Sequence, residues 1–338
     1  MKKISFSIII PTYNRERLLQ LSIQSVLNQT KKDFEILILD DASTDMTQNV
    51  INLYHDKRIR YIRNPVNKGV VYNFRQGFKM AQGTYIFLLS DDDFILRKDT
   101  LEKVFRKMEE TNAGIGHLSV LFYEDNYHKP TTYTNEEGIK SRYFAPSKDI
   151  LMRTKKWHFG FMSGNIYRRS LVKEEDLIDN VWYCHVKPIF RAILLRGVVY
   201  FGDLFIIGKL STTGNISYLN IHINKTYHVD DLLDLYKEFD SSQERYKKFE
   251  DFHLHGAITT LPGVKYFTSN KNISAIASRL LQRKPSLLLS PTFWFYYTVA
   301  FLTPKRVFKL LRRYSLRRGS QKTEKFAKSI HLRKHLEI

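Results

Sequence analysis

Five short strand-like segments, each closed by a polar turn and most of them separated by a helical pattern, constrain this chain more than any other feature. They are Ile4–Ile10, Phe34–Leu39, Arg58–Arg63, Tyr85–Leu89 and Gly116–Phe122. Leu19, Ile23, Val26 and Leu27 fall on one helical face between the first two, and Gly69–Gln82 and Leu101–Asn112 supply later helices. Strand, helix and strand in this order predict a parallel sheet covered on both faces. Open sheets of that kind bind ligands at the carboxyl ends of their strands. Function is therefore to be sought where these runs end.

The fourth run ends in Leu88-Leu89-Ser90-Asp91-Asp92-Asp93-Phe94. Three adjacent carboxylates repel one another unless a cation or a hydrogen-bonding sugar balances them. Hard oxygen ligands favour Mg²⁺ or Mn²⁺, ions commonly held by one or two carboxylates plus substrate phosphates. A solvated acidic turn capping the helix that begins near Thr100 is the plainer alternative. The first run ends in Pro11-Thr12-Tyr13-Asn14-Arg15 and the second in Asp40-Asp41-Ala42-Ser43-Thr44-Asp45, so both turns open on the edge that carries the acids. A Tyr there can cover a nucleobase face, and a nearby carboxylate can accept a hydrogen bond from a ring N–H. Uracil, thymine or guanine satisfies that acceptor better than cytosine, whose N3 carries no proton. A core Tyr13 and a helix-capping Asp41 or Ser43 are the alternatives. No Gly-x-Gly-x-x-Gly or Walker-type loop follows any strand, which argues against a dinucleotide oxidoreductase or a P-loop ATPase.

At 338 residues, with 43% hydrophobic and 14% aromatic side chains, the chain belongs among folded proteins with room for one large domain or two ordinary ones. Its 54 Lys and Arg against 34 Asp and Glu leave a net charge of +20, which predicts an anionic partner. Half of that excess sits in residues 304–338, where 12 Lys and Arg face two Glu. The one cysteine, Cys184, excludes an internal disulfide and a multi-cysteine metal site; it fits a reducing compartment and a packing role. The first apolar stretch is too short for a spanning helix and runs directly into a turn, so it reads as a strand and not as a signal peptide.

Taken together, Ile-Ile-Ile-Pro-Thr-Tyr-Asn-Arg at 8–15, Ile-Leu-Asp-Asp-Ala-Ser-Thr-Asp at 38–45, Asn67-x-Gly69 and the Ser90-Asp91-Asp92-Asp93 turn resemble the nucleotide-sugar half of family 2 glycosyltransferases with the GT-A fold. Order and spacing match over roughly the first 125 residues. The resemblance implies an α/β fold, with a mostly parallel sheet flanked by helices and a helical C-terminal extension. It makes Pro11 and Tyr13 part of the base pocket, Asp41 its hydrogen-bonding carboxylate, and Asn67 and Gly69 further donor-binding residues, with Asn73 close by. Asp91, Asp92 and Asp93 overlay the family's Asp-x-Asp stretch, where Asp92 is the first candidate to meet the divalent ion and the diphosphate. Ser90 stands where the family more usually has Asp, which leaves open which acid faces ribose and which faces metal. The Arg-Asn pair often found before Gly77 is Phe74-Arg75 here, so Arg75 near the phosphates competes with Arg75 on a solvated helix face.

Family members use a carboxylate, often within Glu-Asp ahead of an amphipathic helix, as general base for the acceptor hydroxyl. The matching place here is Trp182-Tyr183-Cys184-His185-Val186, before a helix that carries Arg191 and ends near Gly197, and it contains no Glu-Asp. His185 can take the role because an imidazole titrates near operating pH, with Asp176 and Asp179 as competitors and a structural histidine as the alternative. This variant is similar to the abequosyltransferases of O-antigen assembly.

From Tyr123 to about Ser147 periodicity is lost, as in a long surface connection. Trp157–Arg168 suits either a sugar-binding wall or a buried strand flanked by turns. Beyond Ile221 the pattern is helical, with Val229–Phe239 followed by a charged segment to Phe252. Leu287–Leu302 is strongly apolar but interrupted by Pro291, and it is shorter than the roughly 20 residues a span needs, which suits an interfacial segment. Thr303-Pro304 then opens a helix with Val307, Leu310, Leu311 and Tyr314 on one face and Lys305, Arg306, Lys309, Arg312 and Arg313 on the rest, a membrane-surface pattern unless the tail is simply solvated. The expected organisation is a nucleotide-sugar-binding half over 1–125, an acceptor-binding half over 126–225 and a basic, helical, membrane-associating region over 226–338. The expected activity is inverting transfer from a nucleotide-sugar donor to a glycan or lipid-linked glycan in surface polysaccharide biosynthesis, by a peripheral enzyme at the inner face of the cell membrane. Two rivals remain at this stage. A nucleic-acid-binding protein is suggested by the charge and opposed by the ordered turns, and a catalytically silent scaffold is suggested by the missing Glu-Asp.

Overall fold

The first apolar run becomes β1 (Phe6–Thr12) and the second β2 (Phe34–Asp40), paired in parallel with Phe6 opposite Phe34 and Thr12 opposite Asp40. The computed structural model describes residues 4–123, 130–133, 140–151, 161–177, 184–209, 229–265, 269–304 and 306–308. Between these strands α1 (Glu16–Leu27) buries Leu19, Ile23 and Val26 in the sheet's core. The unit repeats through α2 (Thr47–Asn52), β3 (Ile59–Arg63), α3 (Val70–Met80) and β4 (Tyr85–Leu88), giving four parallel strands in the order β3-β2-β1-β4. Every residue of β2 is buried, as a central strand covered on both faces requires. Both of its charges are engaged: Glu35 Oε1 accepts from Ser7 Oγ at 2.6 Å and the Gln82 N–H at 2.7 Å, its Oε2 accepts from Arg60 at 2.7 Å, and Asp40 accepts the Tyr61 hydroxyl at 2.6 Å and the Ser43 N–H at 2.9 Å. Without such partners a buried carboxylate costs several kcal/mol.

Past β4 the sheet departs from an all-parallel arrangement. The chain continues through β5 (Phe94–Ile95), α4 (Thr100–Thr111), β6 (Ile115–Tyr123), β7 (Pro130–Tyr133), β8 (Ser141–Phe144), the single helical turn α5 (Lys148–Leu151) and β9 (Asn165–Arg168). Strand β6 runs in the same direction as β4 but not beside it. The slot between them is filled by β9, antiparallel to both, with Ile86 opposite Tyr167 and Gly116 opposite Ile166. The described part of the 157–168 stretch is thus a turn followed by a buried strand. Helix α6 (Val186–Arg196) ends at Gly197, whose φ of +68° suits a residue without a Cβ, and leads into β10 (Val198–Lys209), parallel to β6. Strands β5 and β8 pair antiparallel with β10, and β7 with β6. Cys184 is buried, as a packing residue would be.

The described residues from Val229 onward belong to a second compact unit. It consists of α7 (Val229–Phe239), α8 (Gln243–Lys265), α9 (Asn270–Arg283), a 3-10 turn over Pro285–Leu289 and α10 (Pro291–Leu302). Leu254, Ile258, Leu261, Ile273, Ile276, Leu280 and Phe293 form its core. Pro291 starts α10 instead of interrupting it: it occupies the first helical position, and Ser290 Oγ caps the helix by accepting the Phe293 N–H at 3.2 Å. Among the described residues no helix is long and apolar enough to cross a membrane. Asp179 and the basic stretch from Lys309 onward lie outside the described residues.

Two glycines set how closely helix and strands approach. A Cβ on Gly77 of α3 would lie 2.6 Å from Ile9 Cγ2, and one on Gly83 would lie 2.5 Å from the backbone nitrogen of Ser7. A side-chain tip can yield, whereas the backbone of β1 cannot do so without disturbing its ladder. Gly83→Ala is therefore expected to lower the urea midpoint by an amount equivalent to roughly 2–3 kcal/mol, the upper end for overpacking. A wild-type midpoint would show that the approach at Gly83 is not limiting.

Candidate functional site

The carboxyl ends of β1, β2, β3 and β4 lie on one edge, and the segments that follow them are bonded to one another. The Thr12 carbonyl accepts the Asp41 N–H at 2.9 Å. Beyond it the Asn14 N–H donates to Ser43 Oγ at 2.9 Å, and Asn14 Oδ1 accepts the Thr44 N–H at 2.7 Å. Glu16 and Asp45 close the junction reciprocally, the Glu16 N–H donating to Asp45 Oδ2 at 3.2 Å and the Met46 N–H to Glu16 Oε2 at 3.0 Å. Asn14 and Ala42 both take left-handed backbone, at φ +53° and +65°. That geometry is costly for a residue bearing a Cβ, and the cross-bonded turns supply the constraint that holds it.

Asp41 is buried at the centre of this rim. Its Oδ1 accepts from Asn64 Nδ2 at 2.9 Å and the Lys68 N–H at 2.8 Å, and its Oδ2 accepts the Gly69 N–H at 2.8 Å. Burial pushes the Asp41 carboxyl up, but the donors on Lys68, Asn64 and Gly69 more than offset it and hold the group below the usual carboxylate range. Asn64 also donates to Asn73 Oδ1 at 2.9 Å, and Asn73 Nδ2 donates to the Gly69 carbonyl at 3.1 Å. The exposed Asn67 shares the Gly69 N–H through its Oδ1 at 3.2 Å. Sequence reasoning missed Asn64. It is the first residue after β3, on the same edge, and the Pro65 that follows it marked the turn. Beside this group Pro11 is half-buried and Tyr13 stands 46% exposed, open enough to meet a flat ligand.

The acidic triplet divides. Asp93 is buried and turned inward: Ser163 Oγ donates to its carboxylate and accepts the Ser90 N–H at 2.8 Å, while Ser22 Oγ donates to its carbonyl. Asp91 and Asp92 are only half-buried. Burial first, and then the charge of Asp92, push the Asp91 carboxyl up to about 7, against the opposing pull of the Thr12 hydroxyl, the Arg15 cation and the Tyr13 N–H. Two adjacent carboxylates, one of them held uphill of ionisation, suit a divalent cation. Among the described residues no three His, Cys, Asp or Glu side chains converge as a metal cage. An ion here would take one or two carboxylates from the chain and the rest of its shell from phosphate and water, a pattern typical of Mg²⁺.

Asp176, Leu177 and His185 are placed by other contacts. Asp176 is buried in a two-point pair with Arg191, at 2.6 and 2.7 Å. His185 is buried at the start of α6, and its carbonyl accepts the Tyr167 hydroxyl at 3.0 Å. Arg75 donates from Nε to the Leu177 carbonyl at 2.9 Å, which ties α3 to this segment.

Residues 7–175 match the family model described as Glycosyl transferase family 2. A GalNAc(5)-diNAcBac-PP-undecaprenol beta-1,3-glucosyltransferase from Campylobacter jejuni is 33% identical over 172 residues, covering 50% of this chain and 53% of the relative. The chain spans about half of that relative's length, and 23% and 47% of the lengths of two further relatives that are each 38% identical over the matched stretch. S. aureus TarS 1-349 in complex with UDP-GlcNAc superposes with a TM-score of 0.53 at 15% identity, covering 88% of this chain and 90% of that one. A mannosyltransferase from Pyrobaculum calidifontis, in complex with GDP-Man and Mn²⁺, gives 0.54 at 13% identity, with 96% and 88% covered. At these identities the structural likeness establishes the fold.

The two aspartates respond to pH in opposite directions. The folded-state pKa of Asp41 is depressed, so the stability it contributes is present above its unfolded value near 3.9 and is lost as pH falls through the folded value. Asp91 is raised, so the metal-free chain loses stability as pH climbs from about 4 to about 7. Asp91→Asn is therefore expected to raise the Tm of the metal-free protein at pH 8, with the gain fading toward pH 4. Asp41→Ala strands three donors and should cost about 3 kcal/mol at pH 8. Thermal scans across that range check both, and shifts of the same sign would contradict the assignment.

Proposed function

This chain belongs to glycosyl transferase family 2 and has a GT-A type fold, and from that premise we propose that it moves a sugar, with inversion, from a nucleotide-activated donor to a lipid-linked glycan in surface polysaccharide assembly. The observation that carries the proposal is the rim itself: Tyr13, Asp41 and the half-buried Asp91 and Asp92 on strand ends that are hydrogen-bonded to one another. The solved neighbours bound to UDP-GlcNAc and to GDP-Man with Mn²⁺, and the undecaprenol-linked acceptor in the name of the Campylobacter relative, support it.

In this reading Tyr13 and Pro11 cover the base, and Asp41 accepts from a ring N–H. Its oxygens already accept from Asn64, Lys68 and Gly69, which limits the direction from which a ring N–H can approach. Asn67 and Gly69 line the same end. Asp91 and Asp92 fit a Mg²⁺ or Mn²⁺ ion, because a cation would offset the burial and the repulsion from Asp92 that hold Asp91 uphill. When bound, that ion offsets charge on the leaving diphosphate. Asp93 fixes the turn that aims the other two. Donor binding falls to residues 1–125, acceptor binding to 126–225 and membrane attachment to 226–338, at the inner face of the cell membrane. No nucleic acid partner is expected.

The acceptor hydroxyl needs a base, and we assign it to the 176–185 segment. Asp176 has both oxygens engaged by Arg191, so Asp176→Asn should chiefly destabilise the fold. His185→Ala or Asp179→Asn should lower kcat by about 10²-fold or more with donor binding intact, and the variant that does so identifies the base. Loss in neither would move the base out of this segment.

Thermal stabilisation by UDP, GDP and CDP with and without Mn²⁺ tests the donor site. Stabilisation by UDP or GDP is expected to need Mn²⁺ and to vanish in Asp92→Asn, with CDP weaker throughout. Turnover of a nucleotide sugar onto an undecaprenyl-linked glycan tests the reaction. Nucleotide binding without transfer would identify a donor-binding scaffold instead.

A further inference from the structure

Along one face of α10 and the 3-10 turn before it, large apolar side chains stand in solvent. Leu289 is 88% exposed, Phe295 62% and Leu302 70%, with Leu288 and Trp294 beside them. Phe295 and Leu302 lie seven residues apart and so share one helical face, while Phe293 and Ala300 on the opposite face belong to the core with Leu254, Ile276 and Leu280. The Trp294 indole N–H donates to the Leu288 carbonyl at 2.8 Å, which holds turn and helix together as one surface. Residues 285–304 carry no charged side chain at all.

Charge decides what such a face meets. Before it, Arg283 is paired with Asp234 and Lys284 with Asp251. Beyond it, residues 304–338 hold 12 Lys and Arg against two Glu, beginning with Lys305 and the exposed Arg306. The positive charge that follows this face in sequence repels a second copy carrying the same charge, whereas an anionic bilayer satisfies the apolar face and the positive charge together. A helix of 12 residues is about 18 Å long, well short of a hydrocarbon core of about 30 Å.

We infer that Leu288, Leu289, Trp294, Phe295 and Leu302 form a monotopic docking surface that lies in the headgroup–acyl boundary of an anionic membrane, without crossing it. This gives a place to the membrane attachment in the reading above and rests on the lipid-linked acceptor. Burying apolar side chains supplies the insertion, and each nearby Lys or Arg adds salt-sensitive attraction.

The test uses the full chain and vesicles of phosphatidylcholine with or without 30 mol% phosphatidylglycerol (about one anionic lipid in three), at low and high salt. Wild type should sediment with the anionic vesicles, less so at high salt. Phe295→Ser with Leu302→Ser should lower that partition at least tenfold and leave both the Tm and the Mn²⁺-dependent nucleotide response unchanged, since both side chains are exposed. Equal partition of variant and wild type overturns the inference. So does patch-dependent self-association in light scattering without vesicle binding. If vesicle binding depends on the patch but no nucleotide response exists, the donor reading fails and the docking surface stands.

Discussion

The Asp41 carboxylate is the contact on which the rest of the site depends. Its oxygens collect donors from Asn64 after β3 and from Lys68 and Gly69 before α3, while its own N–H is spent on Thr12 at the end of β1. Parallel strands end on one edge by topology alone, but topology does not lock the loops that leave them. A buried charge does, because each partner withdrawn exposes an unpaid desolvation cost. The left-handed Ala42 next to it is tolerated for the same reason, its neighbours being held on both sides.

The acidic turn shows the opposite balance. Asp93 is satisfied by a serine from a distant segment, and two further turn carbonyls fall to Ser22. That arrangement leaves Asp91 and Asp92 side by side at the rim, where burial and the charge of Asp92 both oppose ionisation of Asp91. Stability is sacrificed at that point, and a divalent cation with a diphosphate would return it. Asp41 and Asp91 thus differ in balance: one carboxylate is stabilised by the donors of the loops it joins, and the other is destabilised where the proposed reading places a cation.

Much of the first half was legible from residue order. Apolar runs announced β1, β2, β4 and β6, alternation of Ile and Tyr with Arg announced β3, and the 3.6-residue pattern announced α1, because these signals are local. The shared edge for Tyr13, Asp41 and Asp91 followed from parallel pairing. Ser22 and Ser163 were not legible, since each acts through a partner about 70 positions away and neither carries a local signature, and the turn before Pro65 marked the place of Asn64 but not its bond to Asp41. At β9 residue order alone allows either a buried strand or a sugar-binding wall, because four residues are too few to show a period and the pairing to β4 and β6 is entirely non-local.

The sequence by itself determined the order of β1 to β4 and β6 with the helices α1, α3 and α4 between them, the family, the placement of acids at strand ends and the concentration of positive charge beyond Pro304. These are properties of neighbouring residues, carried by spacing and composition. Only the tertiary structure decided that Asp93 turns inward while Asp91 and Asp92 stay at the rim, that Asp176 is bound to Arg191, and that α10 buries Phe293 but leaves Phe295 and Leu302 in solvent. Three adjacent aspartates are chemically alike until a fold gives each a different depth and a different set of donors, and depth is set by contacts between segments far apart in the chain.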